Sequence, residues 1–257
     1  MQKLINSGYK CDAVNKSNAR DEFPYLNIGD NIHGYFTPDN SGIINPRRLV
    51  EAQLLIARSH GCQHIKDAVQ SVTKDDSGVY QVMLSSGDVV KTKNVILATG
   101  AYLNISGHLS QFTDQHLDLD LMGQTVAFLR ISDQSAERLG SMPSVVTTYN
   151  YARLDGTYIL PPVKYPDGKY YLKLGHHDMF ERQFSDDPEE IREWYREGTG
   201  DKEAVEELTG FLEDFIKDLE VEDVRGGCCI TSHTKDREGP YIDKVVEGLF
   251  VAGGGCG

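Results

Sequence analysis

The clearest apolar rhythm lies in residues 45–60. Leu49, Ala52, Gln53, Ile56 and Ala57 recur at helical spacing, with Leu55 beside them. Asn45 is an N-cap residue, Pro46 suits the first helical position, and Gly61 is a stop. A second stripe runs through Val205, Leu208, Phe211, Leu212, Phe215, Ile216 and Leu219, inside a helical region over 187–220 that opens at Asp187 and Pro188. Its acids, among them Glu203, Glu206, Glu207 and Asp214, form the wet face of a helix packed on a sheet. Elsewhere the period is two. A strand is expected over 64–69, followed by a hairpin in which Tyr80, Val82 and Leu84 alternate and residues 89–93 return. Val95 to Ala98 are consecutively apolar, which predicts a strand covered on both faces, as in a parallel sheet. Strands over 124–131, 143–150, 157–163 and 169–175, a short helix over 132–139 and a turn at Tyr165-Pro166-Asp167-Gly168 predict an antiparallel sheet of a different style. Residues 1–44 carry turn chemistry and no long element.

These elements predict an α/β protein with α+β character. Its 257 residues allow one large domain or two modest ones. A net charge of -13 makes a nucleic-acid partner unfavourable, because phosphate binding needs a surplus of Lys and Arg. No stretch reaches membrane-spanning length. The five cysteines are odd in number and include the adjacent Cys228 and Cys229, which argues for a reducing compartment and against a disulfide framework. No pair of C-x-x-C motifs predicts a metal site. The first fifteen residues carry no leader pattern, so the default compartment is the cytoplasm; a signal in a further terminus would make it peroxisomal or mitochondrial. Oligomeric state is not written in the sequence.

The last thirty residues hold the most chemistry. A short apolar strand, Leu249 to Ala252, feeds Gly253, Gly254, Gly255 and Gly257. Glycines clustered after a strand mark close backbone approach, to a pyrophosphate or a flat ring for example.

Taken in order, several motifs resemble the FAD-dependent amine and amino-acid oxidases of the sarcosine, pipecolate and fructosyl-amine oxidase group, within the D-amino-acid oxidase superfamily. They are Asn45-Pro46-Arg47-Arg48-Leu49-Val50 closing at Gly61; Val95 to Tyr102, similar to a "V-x-x-A-x-G-A-W" strand end; Leu172 to His177, similar to "K-x-G-x-H"; Cys229 followed by Thr234, Asp236 and Ile242-Asp243; and Phe250 to Gly257, similar to the start of "A-x-G-x-x-G-H-G-x-K". The resemblance implies a FAD/NAD(P)-binding-like parallel sheet over 1–122, an antiparallel substrate sheet with helices over 123–222, and a return to the FAD-binding part over 223–257. The family's opening G-x-G-x-x-G unit has no match in residues 1–30, and its substrate-anchoring lysine would follow Gly257. The chain therefore reads as a partial one that holds FAD weakly by itself.

The resemblance implies oxidation of the C–N bond of a secondary amine or amino acid, with hydride to flavin and reoxidation by oxygen to peroxide. Rival readings are a dehydrogenase or demethylase of the same fold, a non-catalytic scaffold, and, last, a thiol-redox protein using Cys228 and Cys229. Among single residues, Cys229 stands where relatives attach flavin covalently through a thioether, and a thiolate is a competent nucleophile; a small buried hydrophobe is the plain alternative. Cys228 points to the opposite strand face and reads as core, with a vicinal disulfide or metal pair as the alternative. His177 matches a histidine near flavin and substrate, or is a turn histidine. Tyr158 matches a tyrosine over the substrate, or is sheet packing. Thr231 stands where the family often has an aromatic, which points to a different or larger substrate. Val69 is a backbone contact to adenine by position, Gly100 a cofactor contact or a tight turn, and Asp236 with Arg237 a pair near the loop or a surface turn.

Overall fold

The computed structural model describes residues 8, 10–29, 33–39, 42–114, 116–148, 151–176, 182–185, 187–236 and 239–255. His177, Arg237, Cys256 and Gly257 lie outside the described residues. The chain forms two compact units: residues 1–44, 125–181 and 198–228 in the first, and 45–124, 182–197 and 229–257 in the second.

The first unit is built on antiparallel strands: β1 (Asp12–Val14), β2 (Gly34–Phe36), the second part of β7 (Leu119–Ile131), β8 (Val145–Thr147), β9 (Thr157–Lys164), β10 (Tyr170–His176) and the first part of β12 (Val221–Thr234). Strand β1 pairs with β2, and β7, β10, β9 and β8 lie side by side in that order, with β12 on β7. The expected antiparallel sheet is therefore present, with the Tyr165–Gly168 turn joining β9 to β10. One face of this sheet meets helix α5 (Lys202–Phe215) in a core of Ala127, Leu129, Ile159, Leu172, Leu174, Leu208, Phe211 and Leu212. The 187–220 helical region is broken in two, α4 (Pro188–Glu197) and α5, because Gly198 and Gly200 both adopt φ of 69°. Helix α5 then ends at Phe215, and Ile216 forms an antiparallel bridge with Leu26. Helix α1 (Lys16–Glu22), which apolar periodicity did not indicate, is fixed by local polar chemistry: Asn15 and Asn18 form a reciprocal capping box. The remaining short helix is α3 (Asp133–Arg138), capped by Ser132.

Strand β12 contains Gly226 and Gly227, which weaken any local strand signal. Tertiary packing requires them. A Cβ on Gly226 would stand 2.0 Å from the Thr199 carbonyl oxygen, and one on Gly227 2.8 Å from the Phe128 ring.

The second unit contains β3 (Val69–Lys74), β4 (Tyr80–Leu84) and β5 (Val89–Thr92) as an antiparallel sheet, and β13 (Tyr241–Val246), β14 (Leu249–Gly253) and β6 (Val95–Leu97) as another. Strands β14 and β6 run parallel, Leu249 opposite Val95 and Val251 opposite Leu97. Val72, Tyr80, Leu97, Leu103, Leu249 and Val251 form this unit's core. Short strand β11 (Arg182–Gln183) pairs with Gly123 and Met122.

Two expectations fail here, for one physical reason. The strand expected over 64–69 begins only at Val69, and residues 62–68 are exposed. The double-sided burial expected for Val95–Ala98 is also absent: Leu97 is buried, but Ile96 is 67% exposed, as is Ile242 at 74% on the same sheet. Helix α2 (Pro46–Ser59) forms as its caps dictate, with the Asn45 side chain accepting from the Arg47 and Arg48 amides, yet none of its residues is buried. Leu55 and Ile56 are 65% and 61% exposed. Apolar pattern specifies an element's shape, but burial needs a partner, and the described residues supply none for these faces.

Candidate functional site

Strands β6 and β14 deliver their C-terminal ends side by side, the end at which parallel α/β sheets bind ligands. From β6 the chain enters a 3₁₀ turn at Gly100–Tyr102; from β14 it enters the terminal glycines. The glycines divide by cause. Gly100 has φ of 55° and open space where a Cβ would stand. Gly255 meets only Pro240 Cβ, at 3.7 Å. Gly253 and Gly254 are pressed on the protein itself: a Cβ would lie 2.7 Å from Leu103 Cδ2 at the first and 2.9 Å from Thr234 Cγ2 at the second, where φ is 72°. Gly100 and Gly255 thus leave backbone open to a flat or anionic group, while Gly253 and Gly254 have an internal packing reason as well.

Strand β12 reaches the same loop, because His233 bridges Gly255. Alternation puts Cys229, Thr231 and His233 on one strand face and the buried Ile230, Ser232 and Thr234 on the other. Cys229 is exposed and Cys228 is half-buried, and neither forms a disulfide among the described residues. The His233 ring Nε2 and Thr231 hydroxyl lie 3.0 Å apart. The backbone at Cys229 is held from one side: Trp194 of α4 donates its Nε1–H to the Cys229 carbonyl at 3.1 Å. That indole is 5% exposed, meets Phe184 edge to face at 5.9 Å, and lies with Phe184 beneath the Arg182 guanidinium. Gly123 makes room, since a Cβ there would stand 2.9 Å from Phe184 Cε2 and 3.3 Å from Trp194 Cε2. Trp194 and His233 escaped the sequence reading. Trp194 is the only tryptophan of the chain, a usable signal; His233 carried none.

Val69 opens β3, opposite Leu84, and is exposed. Asp236 is exposed, and its expected partner Arg237 lies outside the described residues. Nearby, Lys235 pairs with Asp118 at 2.7 Å, and that bond raises the lysine pKa above its ordinary value.

In the first unit Tyr158 stands on β9 directly opposite Gly175 on β10. It occupies the sheet face away from the core, as does Lys173, whose ammonium lies 5.8 Å from the centre of the Phe128 ring. His176, the last residue of β10, is buried; His177 follows it outside the described residues. A cavity of about 470 Å³ in this unit, between β2 and β8, is walled by Val14, Phe23, Ile28, Phe36 and Phe215. None of the candidate residues lines it. Among the described residues no cluster of three or more His, Cys, Asp or Glu is disposed to hold a metal, and no helix is long and apolar enough to cross a membrane.

The model of the FAD dependent oxidoreductase family of DAO type matches residues 1–257. The chain belongs to that family, whose cofactor is FAD. Its fold is also that of solved oxidases and of a solved dehydrogenase. It is similar to NikD, an unusual amino acid oxidase essential for nikkomycin biosynthesis, with a TM-score of 0.74 at 16% identity, covering 99% of this chain and 63% of that one. It is similar to L-proline dehydrogenase from P. horikoshii, with a TM-score of 0.70 at 16% identity over 100% and 62%. The fructosamine oxidase Amadoriase II from Aspergillus fumigatus gives 0.68 at 16% identity over 100% and 61%. The chain thus spans about three-fifths of the length of these solved proteins. No curated protein matches it by sequence.

Proposed function

We propose that residues 1–257 are part of an enzyme that oxidises the C–N bond of a secondary amine or amino acid. The observation that carries this reading is the exposed Cys229 thiol, on the β12 face that runs into the open glycine turn at the end of the parallel strands. Gly100 and Gly255 would offer backbone to FAD, Val69 is its adenine-side contact by position, and Cys229 would tether the isoalloxazine through a thioether. Gly253 and Gly254 would continue the same cofactor contact, and Gly257, outside the described residues, is assigned to it by sequence alone. Bound FAD would supply the hydride acceptor, with oxygen as the final oxidant. Tyr158 and His177 are assigned to the substrate, a hydroxyl to hold it and an imidazole to orient a carboxylate or keep the amine neutral. The resulting imine hydrolyses in water.

The bare faces of α2 and of Ile96 favour one qualification: the cofactor is held firmly only when polypeptide outside residues 1–257 covers them. The test is made on the complete protein and on residues 1–257 side by side. The complete protein should purify yellow, consume oxygen with an amine substrate, and carry a flavin-sized mass adduct that Cys229→Ser removes. An adduct on Cys228, or none, rejects the tether. Dye reduction without oxygen uptake identifies a dehydrogenase instead, and a colourless, flavin-free complete protein rejects the enzyme reading.

A further inference from the structure

We infer that Gly175 is a positioning residue: its missing side chain is the space that holds the Tyr158 ring and hydroxyl. The inference rests on the assignment of Tyr158 to the substrate, but its geometry stands apart from that assignment. Gly175 and Tyr158 face each other across β10 and β9. A Cβ at Gly175 would lie 2.5 Å from Tyr158 Cε1 and 2.6 Å from both Cζ and the hydroxyl oxygen. The tyrosine therefore crosses the gap between the strands at full length, and its hydroxyl ends directly above the glycine.

Backbone conformation does not explain this glycine. Gly175 is absent from the residues with left-handed φ and sits inside a regular strand, between Leu174 and His176. Glycine in a strand interior is destabilising relative to alanine, because it loses more backbone freedom on folding. Leu172 and Leu174 face the core, where large side chains fill the space. Gly175 shares the other face with Lys173, and there any side chain would take the place of the tyrosine hydroxyl.

Aromatic cover of a strand glycine also stabilises a sheet without any role for the hydroxyl. The two accounts separate experimentally. In residues 1–257, nitration by tetranitromethane read by peptide mass reports ring position. Gly175→Ala should accelerate nitration of Tyr158 severalfold and leave the fully buried Tyr80 unchanged; an unchanged Tyr158 rate overturns the inference. In the complete, flavin-loaded protein, Gly175→Ala should lower kcat/KM by about tenfold to a hundredfold, the scale of an ångström misplacement. Adding Tyr158→Phe should then cost less than about twofold more, because both changes remove one interaction. Fully multiplicative losses overturn the inference. Faster nitration with both single variants at full turnover upholds the positioning and rejects Tyr158 as a substrate residue. If Gly175→Ala fails to fold, Gly175→Ala combined with Tyr158→Ala must recover the melting temperature; no recovery places the clash elsewhere and overturns it.

Discussion

Gly226 offers the sharpest test of how this fold is held together. It lies mid-strand in β12, and a Cβ there would stand 2.0 Å from the Thr199 carbonyl oxygen and 3.0 Å from Val205 Cγ2. The first contact is with backbone, so no rotamer change relieves it. Opposite, a Cβ on Gly200 would lie 2.7 Å from the Gly227 carbonyl oxygen, and Gly200 also has φ of 69°. The loop between α4 and α5 and the first part of β12 are thus in backbone contact through small residues on both sides. Gly226→Ala must push the two segments apart by about an ångström, and overpacking of this kind costs about 3 kcal/mol, the upper end of its usual range. For a chain of this size that corresponds to a melting temperature lowered by roughly 6–12 °C. Gly227→Ala makes the informative comparison, because its obstacle is the Phe128 ring, which can rotate, and about 1–2 kcal/mol is expected. Differential scanning calorimetry of residues 1–257 measures both. A Gly226→Ala protein within about 0.5 kcal/mol of the parent would refute the packing argument, since that is the range of neutral surface changes.

Trp194→Phe removes the bond to the Cys229 carbonyl and should destabilise by about 1 kcal/mol; amide hydrogen exchange over 228–231 should quicken while that over 170–176 stays as it was. Gly255→Ala should leave the melting temperature of residues 1–257 within about 0.5 kcal/mol of the parent yet weaken flavin retention in the complete protein; full retention, read by absorbance after gel filtration, would remove Gly255 from the cofactor site. The Asp167 carboxyl is held below its ordinary pKa, first by the Lys169 amide and then by the Tyr171 hydroxyl. A lowered folded pKa means that its contribution is complete above the ordinary carboxylate value and is lost as pH falls through the lowered one. Melting curves between about pH 6 and about pH 2 should therefore show a smaller acid loss in Asp167→Asn than in the parent; identical slopes would show that the turn carboxylate is not linked to folding.

Local chemistry determined much of this protein from sequence alone. The caps of α2, the Tyr165–Gly168 turn, the apolar stripe of α5 as far as Phe215 and the alternation of the antiparallel strands depend on neighbours a few residues away; beyond Phe215 the stripe leaves the helix, because Ile216 pairs with Leu26 instead. The ordered motifs at Val95–Tyr102, Leu172–His177, Cys229 and Phe250–Gly255 were sufficient to indicate the family. What they could not supply was reason at the level of single glycines or of burial. Gly175, Gly226 and Gly227 look alike in sequence, as interruptions of a strand. Only the fold shows that one houses a tyrosine, one abuts a backbone carbonyl and one meets a ring. Burial was equally out of reach: α2 and Ile96 carry core-like residues, but exposure is decided by what packs against them, and no described residue covers them. The indole of Trp194 beneath Arg182, bonded to a carbonyl 35 residues away, belongs to the same class of fact. Periodicity and turn chemistry are properties of the chain read locally; contacts between distant segments exist only once it has folded.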